Sequence, residues 1–195
     1  MYVTAMLPDV QNDADASAAR FIGQPMKKLN SLMMSVAMFA AVFFALQYAW
    51  GLASGTAVER WVVDDATVHA AVALINWLTP EVAAVAHGAS IQSAGASINI
   101  RNGCEGTEIL FLLAAALLAH RFSWRTRLVG LAVSVVYVFC LNQLRLLALY
   151  YALRGNPSWF PSLHGVVAPL ALVGCCVLFF RGLQQWEQRR PEARP

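Results

Sequence analysis

The sequence predicts an all-α integral membrane helical bundle of about four transmembrane helices, with a small extracytoplasmic helix and a β-hairpin. Three observations point there. The chain is 58% hydrophobic and only 13% charged, with a mean hydropathy of +0.54. Its charges gather in short patches and leave long stretches with none. Several of those stretches approach the ~20 residues that a helix needs to cross a ~30 Å hydrocarbon layer. A net charge of +3 gives no footing for nucleic acid, because the basic residues flank the apolar runs, where they orient a membrane protein. The four cysteines show no CxxC or zinc-type spacing, and neither a metal nor a cofactor is expected.

Residues 1–28 are polar, carry Asp9, Asp13 and Asp15, and end on Lys27-Lys28; they read as a mobile cytoplasmic tail. Residues 29–52 form a charge-free run long enough to span. The apolar core of a cleavable leader is only ~7–15 residues, so this run reads as a retained span, with the small residues Ala53-Ser54-Gly55 leaving processing as the alternative. Residues 53–104 form the extracytoplasmic segment. Within it Asp64 or Asp65 can cap a helix that runs to about Leu78 and stops at Thr79-Pro80. Val68, Ala71, Val72, Ile75 and Leu78 recur at helical spacing and give that helix one apolar face. With Trp61 and Trp77 near its ends, it suits the membrane surface. Alternation at 97–101, with Gly88 and Gly95 nearby, suggests a small β-hairpin.

The second span is the shortest. Its purely apolar part is 109–119, so it must begin near 105 to approach the far side, or else be re-entrant. A basic loop follows, with Arg121, Arg125 and Arg127. The third span, 128–153, is interrupted by one charge, Arg145, and the fourth is 163–180. A single membrane domain thus covers 29–183, and 184–195 is a basic cytoplasmic tail. Basic loops stay in the cytoplasm. Lys27-Lys28, the Arg121–Arg127 loop and the C-terminal tail all obey that rule with four spans, and both termini fall inside. Cys104 and His164 then fall together at the outer face.

Three residues stand out. A charged side chain within a span costs ~2.5–3.5 kcal/mol on insertion scales, so Arg145 should have a partner or a task. The bland alternative is a positioning charge held by Asn142 or by helix carbonyls. Cys104 lies in a polar stretch, Arg101 to Glu108, that opens the second span, whereas Cys140, Cys175 and Cys176 lie in apolar runs as inert thiols. A helix N-terminus and a nearby cation, Arg101 or Arg145, would lower the pKa of Cys104 and favour the attacking thiolate. Glu105 works the other way. Gly103 and Gly106 let a backbone approach the thiol; an incidental exposed thiol is the competing reading. His164 follows Pro161-Ser162 and suits a general acid or base for an interfacial substrate, or merely a water-satisfied histidine. His69 and His87 have no matching nucleophile, and His120 falls on the cytoplasmic side. Together, a thiol, an imidazole and a guanidinium suit acyl transfer through a thioacyl-enzyme, released by an amine or by water.

Taken in order, Cys104-Glu105-Gly106 opening one span, Asn142-Gln143-Leu144-Arg145-Leu146 inside the next and His164 opening the last resemble the exosortase/archaeosortase family of integral membrane cysteine transpeptidases. The resemblance runs from about Gly88 to Arg181 and is to compact members. It implies a triad of Cys104 as nucleophile, Arg145 stabilising the oxyanion or thiolate and His164 as general acid and base, with Gly106 and Asn142 in support. It also implies partners: exported proteins ending in a short motif, a membrane helix and a basic cluster, cleaved at the periplasmic face of the bacterial inner membrane and often linked to exopolysaccharide. Three other readings compete. Pro161-Ser162-Leu163-His164 resembles an element of PAP2-type lipid phosphatases, but that chemistry needs a second histidine downstream and His164 is the last. A metalloprotease using Cys104, Glu108 and His164 lacks a paired-histidine helix. A non-enzymatic membrane subunit of an export complex would leave Arg145 as a packing charge and make no use of Cys104.

Overall fold

The computed structural model describes residues 10–100 and 104–189, with side chains described from Leu29 onward. Arg101 and Gly103, two of the residues weighed above, lie outside that set, as do the side chains of Asp13, Asp15, Lys27 and Lys28.

Helix α1 runs Val10–Ala53 and is 44 residues long. It therefore begins well before the apolar run, because a polar sequence can continue a helix that hydropathy alone would end. Its apolar part, Leu29–Ala53, is one of three stretches long and apolar enough to cross a membrane; the others are Trp124–Gly155 and Pro157–Gln188. The fourth expected span is α4, Thr107–Ala119, of 13 residues. At 1.5 Å per residue that is about 20 Å, short of the hydrocarbon thickness. Helix α5 is Trp124–Gly155, and Ser123 caps its start.

One end of the bundle collects the basic loop and the far ends of the helices. Arg121 Nη2 donates to Ser31 Oγ of α1 at 3.1 Å, and the Ser123 backbone N–H donates to Glu187 Oε1 at 2.6 Å. Phe122 and Phe180 pack edge to face there beside His120. The other end carries a cap built from residues 57–100. Helix α2 (Ala57–Arg60), a π-helical segment (Trp61–Val68) and α3 (His69–Leu78) follow one another without a break. The cap of this helix is Thr56, whose hydroxyl accepts from the Val58 N–H, and not Asp64 or Asp65. Those two lie inside the π-helical segment, where Thr67 Oγ1 donates to the Val62 carbonyl five residues back at 2.8 Å. The predicted apolar face is real at Val68, Ala71 and Ile75, all fully buried, but Leu78 is exposed.

In place of a two-stranded hairpin there is a three-stranded antiparallel sheet in the order β1 (Val85–His87), β2 (Ser90–Ser93), β3 (Ala96–Asn99). The β2–β3 pair is the expected hairpin, with Ser93 opposite Ala96 and Gly95 at φ +90° in the tight turn. Strand β1 is too short to show alternation. It is fixed from outside, because the Asn76 side chain bonds both the N–H and the carbonyl of Ala84, at 2.8 and 2.9 Å. Ile91, Ala96, Ile98 and Ile100 turn inward onto Leu146, Leu149 and Tyr150 of α5. Two hydroxyl pairs clamp the cap to α5: Tyr150 with Ser93 at 2.6 Å, and Tyr151 with Thr79 at 2.7 Å. The cap thus sits rigidly on the end of α5 that carries Arg145.

Candidate active site

Cys104 precedes α4 by three residues, with Gly106 as the N-cap of that helix. The helix therefore starts beyond the thiol and not at it. Gly106 takes φ +83°, and a Cβ there would stand 2.9 Å from Asn142 Cγ. Only glycine allows both the left-handed turn and that approach of the backbone to the Asn142 side chain. The approach is used: Asn142 Nδ2 donates to the Cys104 carbonyl oxygen at 3.0 Å. Asn142 is buried on α5 and holds the cysteine backbone rather than serving only as a partner for Arg145.

The three residues singled out from sequence meet. Arg145 Nη2 lies 3.8 Å from Cys104 Sγ, and His164 Nδ1 lies 3.7 Å from the same sulfur. Cys104 is 5% exposed and Arg145 is 9% exposed, so the contact is largely withdrawn from solvent. His164 reaches it from a π-helical segment, Leu163–Val167, set between α6 (Phe160–Ser162) and α7 (Ala168–Gln188). Its ring lies parallel to that of Phe160, with centroids 5.5 Å apart and planes within 3°.

The electrostatics correct one expectation. Burial pushes the Cys104 thiol above its ordinary pKa; Arg145 pulls it down, while Glu105 and Glu108 add to the rise. The lowering expected from a helix terminus and a cation does not prevail, because desolvation of a buried thiolate outweighs the pull of Arg145. The His164 imidazole, 3.7 Å away, lies within reach of the thiol proton. Glu105 has partners that the sequence did not reveal. Trp50 Nε1 of α1 donates to its Oε1 at 3.3 Å, and Thr107 Oγ1 does so at 3.3 Å. Trp50 stands 55 residues away, so no local pattern could have found it. Gln143, next to Asn142, is buried and reaches the Thr67 carbonyl at 3.4 Å, which ties the π-helical segment to α5.

The remaining histidines and cysteines stay apart. His69 sits beside Asp65 at 3.6 Å on an exposed face, and His120 lies at the opposite end near Gln184. Cys140 faces outward from α5, and Cys176 is buried against Leu113 and Phe122.

A family model described as transmembrane exosortase matches residues 21–181. The match takes in the whole cap, Cys104, Asn142, Arg145 and His164, and it reaches back into α1, beyond the region in which the motifs lie. Neither a curated protein nor a solved structure matches the chain. Three long apolar helices and a match over most of the sequence make this a multi-pass membrane protein, and the chain belongs to the transmembrane exosortase family.

Proposed function

We propose that the protein is a membrane cysteine transpeptidase or protease that cleaves C-terminal sorting signals of exported proteins through a thioacyl-enzyme. The observation that carries this reading is the placement of one buried sulfur between a guanidinium at 3.8 Å and an imidazole at 3.7 Å. Family membership supports an exosortase-type activity.

His164 Nδ1 takes the proton from the Cys104 thiol, and the thiolate attacks the carbonyl carbon of the scissile peptide. The carbonyl π electrons move to oxygen, and the Arg145 guanidinium stabilises the oxyanion. When the tetrahedral intermediate collapses, the C–N bond breaks and the imidazolium protonates the departing amine. The Cys104 thioester then meets an amine or water, whose proton passes to His164. Collapse of the second intermediate breaks the C–S bond and returns the proton to sulfur. The buried setting strengthens each charge interaction over its value in water. Lys27-Lys28, the Arg121 loop and the C-terminal tail favour a cytoplasmic position for the opposite end, which supports a site at the periplasmic face of the inner membrane. The partners on this reading are exported proteins carrying a short motif, a membrane helix and a basic cluster.

Trapping tests the chemistry. With such a substrate, hydroxylamine should release a hydroxamate of the cleaved product from the wild-type enzyme and none from Cys104→Ala. Hydroxamate release in the absence of the thiol would remove the thioacyl intermediate.

A further inference from the structure

In serine and cysteine enzymes of the triad type, a third side chain orients the imidazole by a hydrogen bond. Here, among the described residues, the hydrogen-bond contact of the His164 ring is with Cys104, and the flat face of the ring lies on Phe160. The two rings are within 3° of parallel with centroids 5.5 Å apart, four residues apart in sequence. Residues at that spacing stack over one another on a helix. Phe160 does not float: it packs against the core of the cap, the cluster that also contains Cys104. The aromatic ring therefore links the imidazole to the same packed cluster that holds Cys104.

We propose that Phe160 is a positioning residue for His164, whose ring face fixes the imidazole plane with Nδ1 toward the Cys104 sulfur and favours the imidazolium when the thiol proton arrives. This rests on the thiol–imidazole reading above. An aromatic face attracts a cation within about 6 Å of its centroid, and the ring distance falls inside that range. The charged and titratable groups around the imidazole are few. Cys104 faces it, Arg145 of α5 reaches the same sulfur, and Glu105 and Glu108 act on that sulfur from the start of α4. The stretch from Phe160 to Val167 holds no titratable residue other than His164. Favouring the imidazolium favours the thiolate paired with it, so the ring face should bring Cys104 reactivity to lower pH.

A substrate-free measurement reads this. Iodoacetamide alkylation of Cys104, resolved from the other cysteines by mass spectrometry, is followed across the range from about pH 5 to 10 that brackets imidazole and thiol titration. The detergent-solubilised full chain is compared as wild type, Phe160→Tyr, Phe160→Leu and His164→Ala, with Phe160→Met in place of the leucine variant if that one does not fold. Phe160→Tyr, which keeps the ring face, should retain the wild-type midpoint. Phe160→Leu should raise it by roughly half a pH unit, with about threefold slower alkylation on the rising limb. A leucine variant with the wild-type profile, or a tyrosine variant displaced as far as the leucine one, would overturn the inference. If His164→Ala also leaves the profile untouched, the thiol and imidazole are not coupled, and the underlying reading falls with it.

Discussion

The side-chain amide of Asn142 donates to the Cys104 carbonyl at 3.0 Å, across a contact that only a glycine at 106 permits. One buried bond thus fixes the height of the thiol against α5, three residues before Arg145 on that helix. The thiol and the guanidinium beside it are held by the same element. Truncating Asn142→Ala leaves a buried carbonyl without this donor, at a cost of about 1–3 kcal/mol. The expected result is a lower melting temperature in detergent together with at least a tenfold loss of substrate processing. Normal processing by a stable Asn142→Ala protein would show that the cysteine backbone is held by other means.

Gly106 should tolerate no side chain. At φ +83°, alanine bears the left-handed penalty of roughly 1–2 kcal/mol. Its Cβ would also press within 2.9 Å of Asn142 Cγ, the central atom of a buried amide. Gly155→Ala is the matched control, since a Cβ there meets nothing within 4 Å. Thermal unfolding of the two variants should separate them clearly, with only Gly106→Ala destabilised.

The pH behaviour of Cys104 follows from its surroundings. Burial raises the thiol pKa, Arg145 opposes the rise, and Glu105 and Glu108 reinforce it. Glu105→Gln should therefore lower the pH midpoint of Cys104 alkylation, and Arg145→Met should raise it. The sign for stability is also fixed. The native chain keeps the thiol protonated to higher pH than the unfolded chain does, so unfolded molecules lose the proton first. The contribution of this group is intact below the ordinary thiol pKa and declines as pH rises through it, which a denaturation series in wild type and Cys104→Ala would detect as a difference on the alkaline side.

Much of this arrangement was legible in the amino-acid sequence. Charge placement alone put Cys104 and His164 at one end, and the isolated charge of Arg145 inside an apolar run marked it as a residue that needs a partner or a task. The three apolar stretches near 29–52, 128–153 and 163–180 are the long helices, although each helix continues past its apolar run. What could not be read was long-range or conformational. The Trp50–Glu105 bond joins residues 55 positions apart. Strand β1 is held by Asn76 rather than by its own pattern. The two π-helical segments, one bearing Thr67 and one bearing His164, have no hydrophobic signature. Desolvation outweighed the cation at Cys104 because burial depth is a tertiary property, invisible in a motif that looks polar.

Arg145 should resist conservative exchange. Its guanidinium reaches the sulfur from within a span, and a lysine offers a shorter, more strongly hydrated point charge. Arg145→Lys is expected to retain membrane levels while processing falls, and Arg145→Met to fall further, by about 10²–10³ if the guanidinium stabilises the oxyanion. Equal activity of the lysine variant and the wild type would assign Arg145 a purely electrostatic role at longer range.

The central claim is that Cys104 carries the reaction. It is tested most directly by co-expressing the protein with an exported substrate whose C-terminus bears a short motif, an apolar helix and a basic cluster, and by following loss of that tail on a gel. Wild type should process the substrate, and both Cys104→Ala and Cys104→Ser, at matched membrane levels, should leave it full length. Processing that persists in both variants would contradict the account.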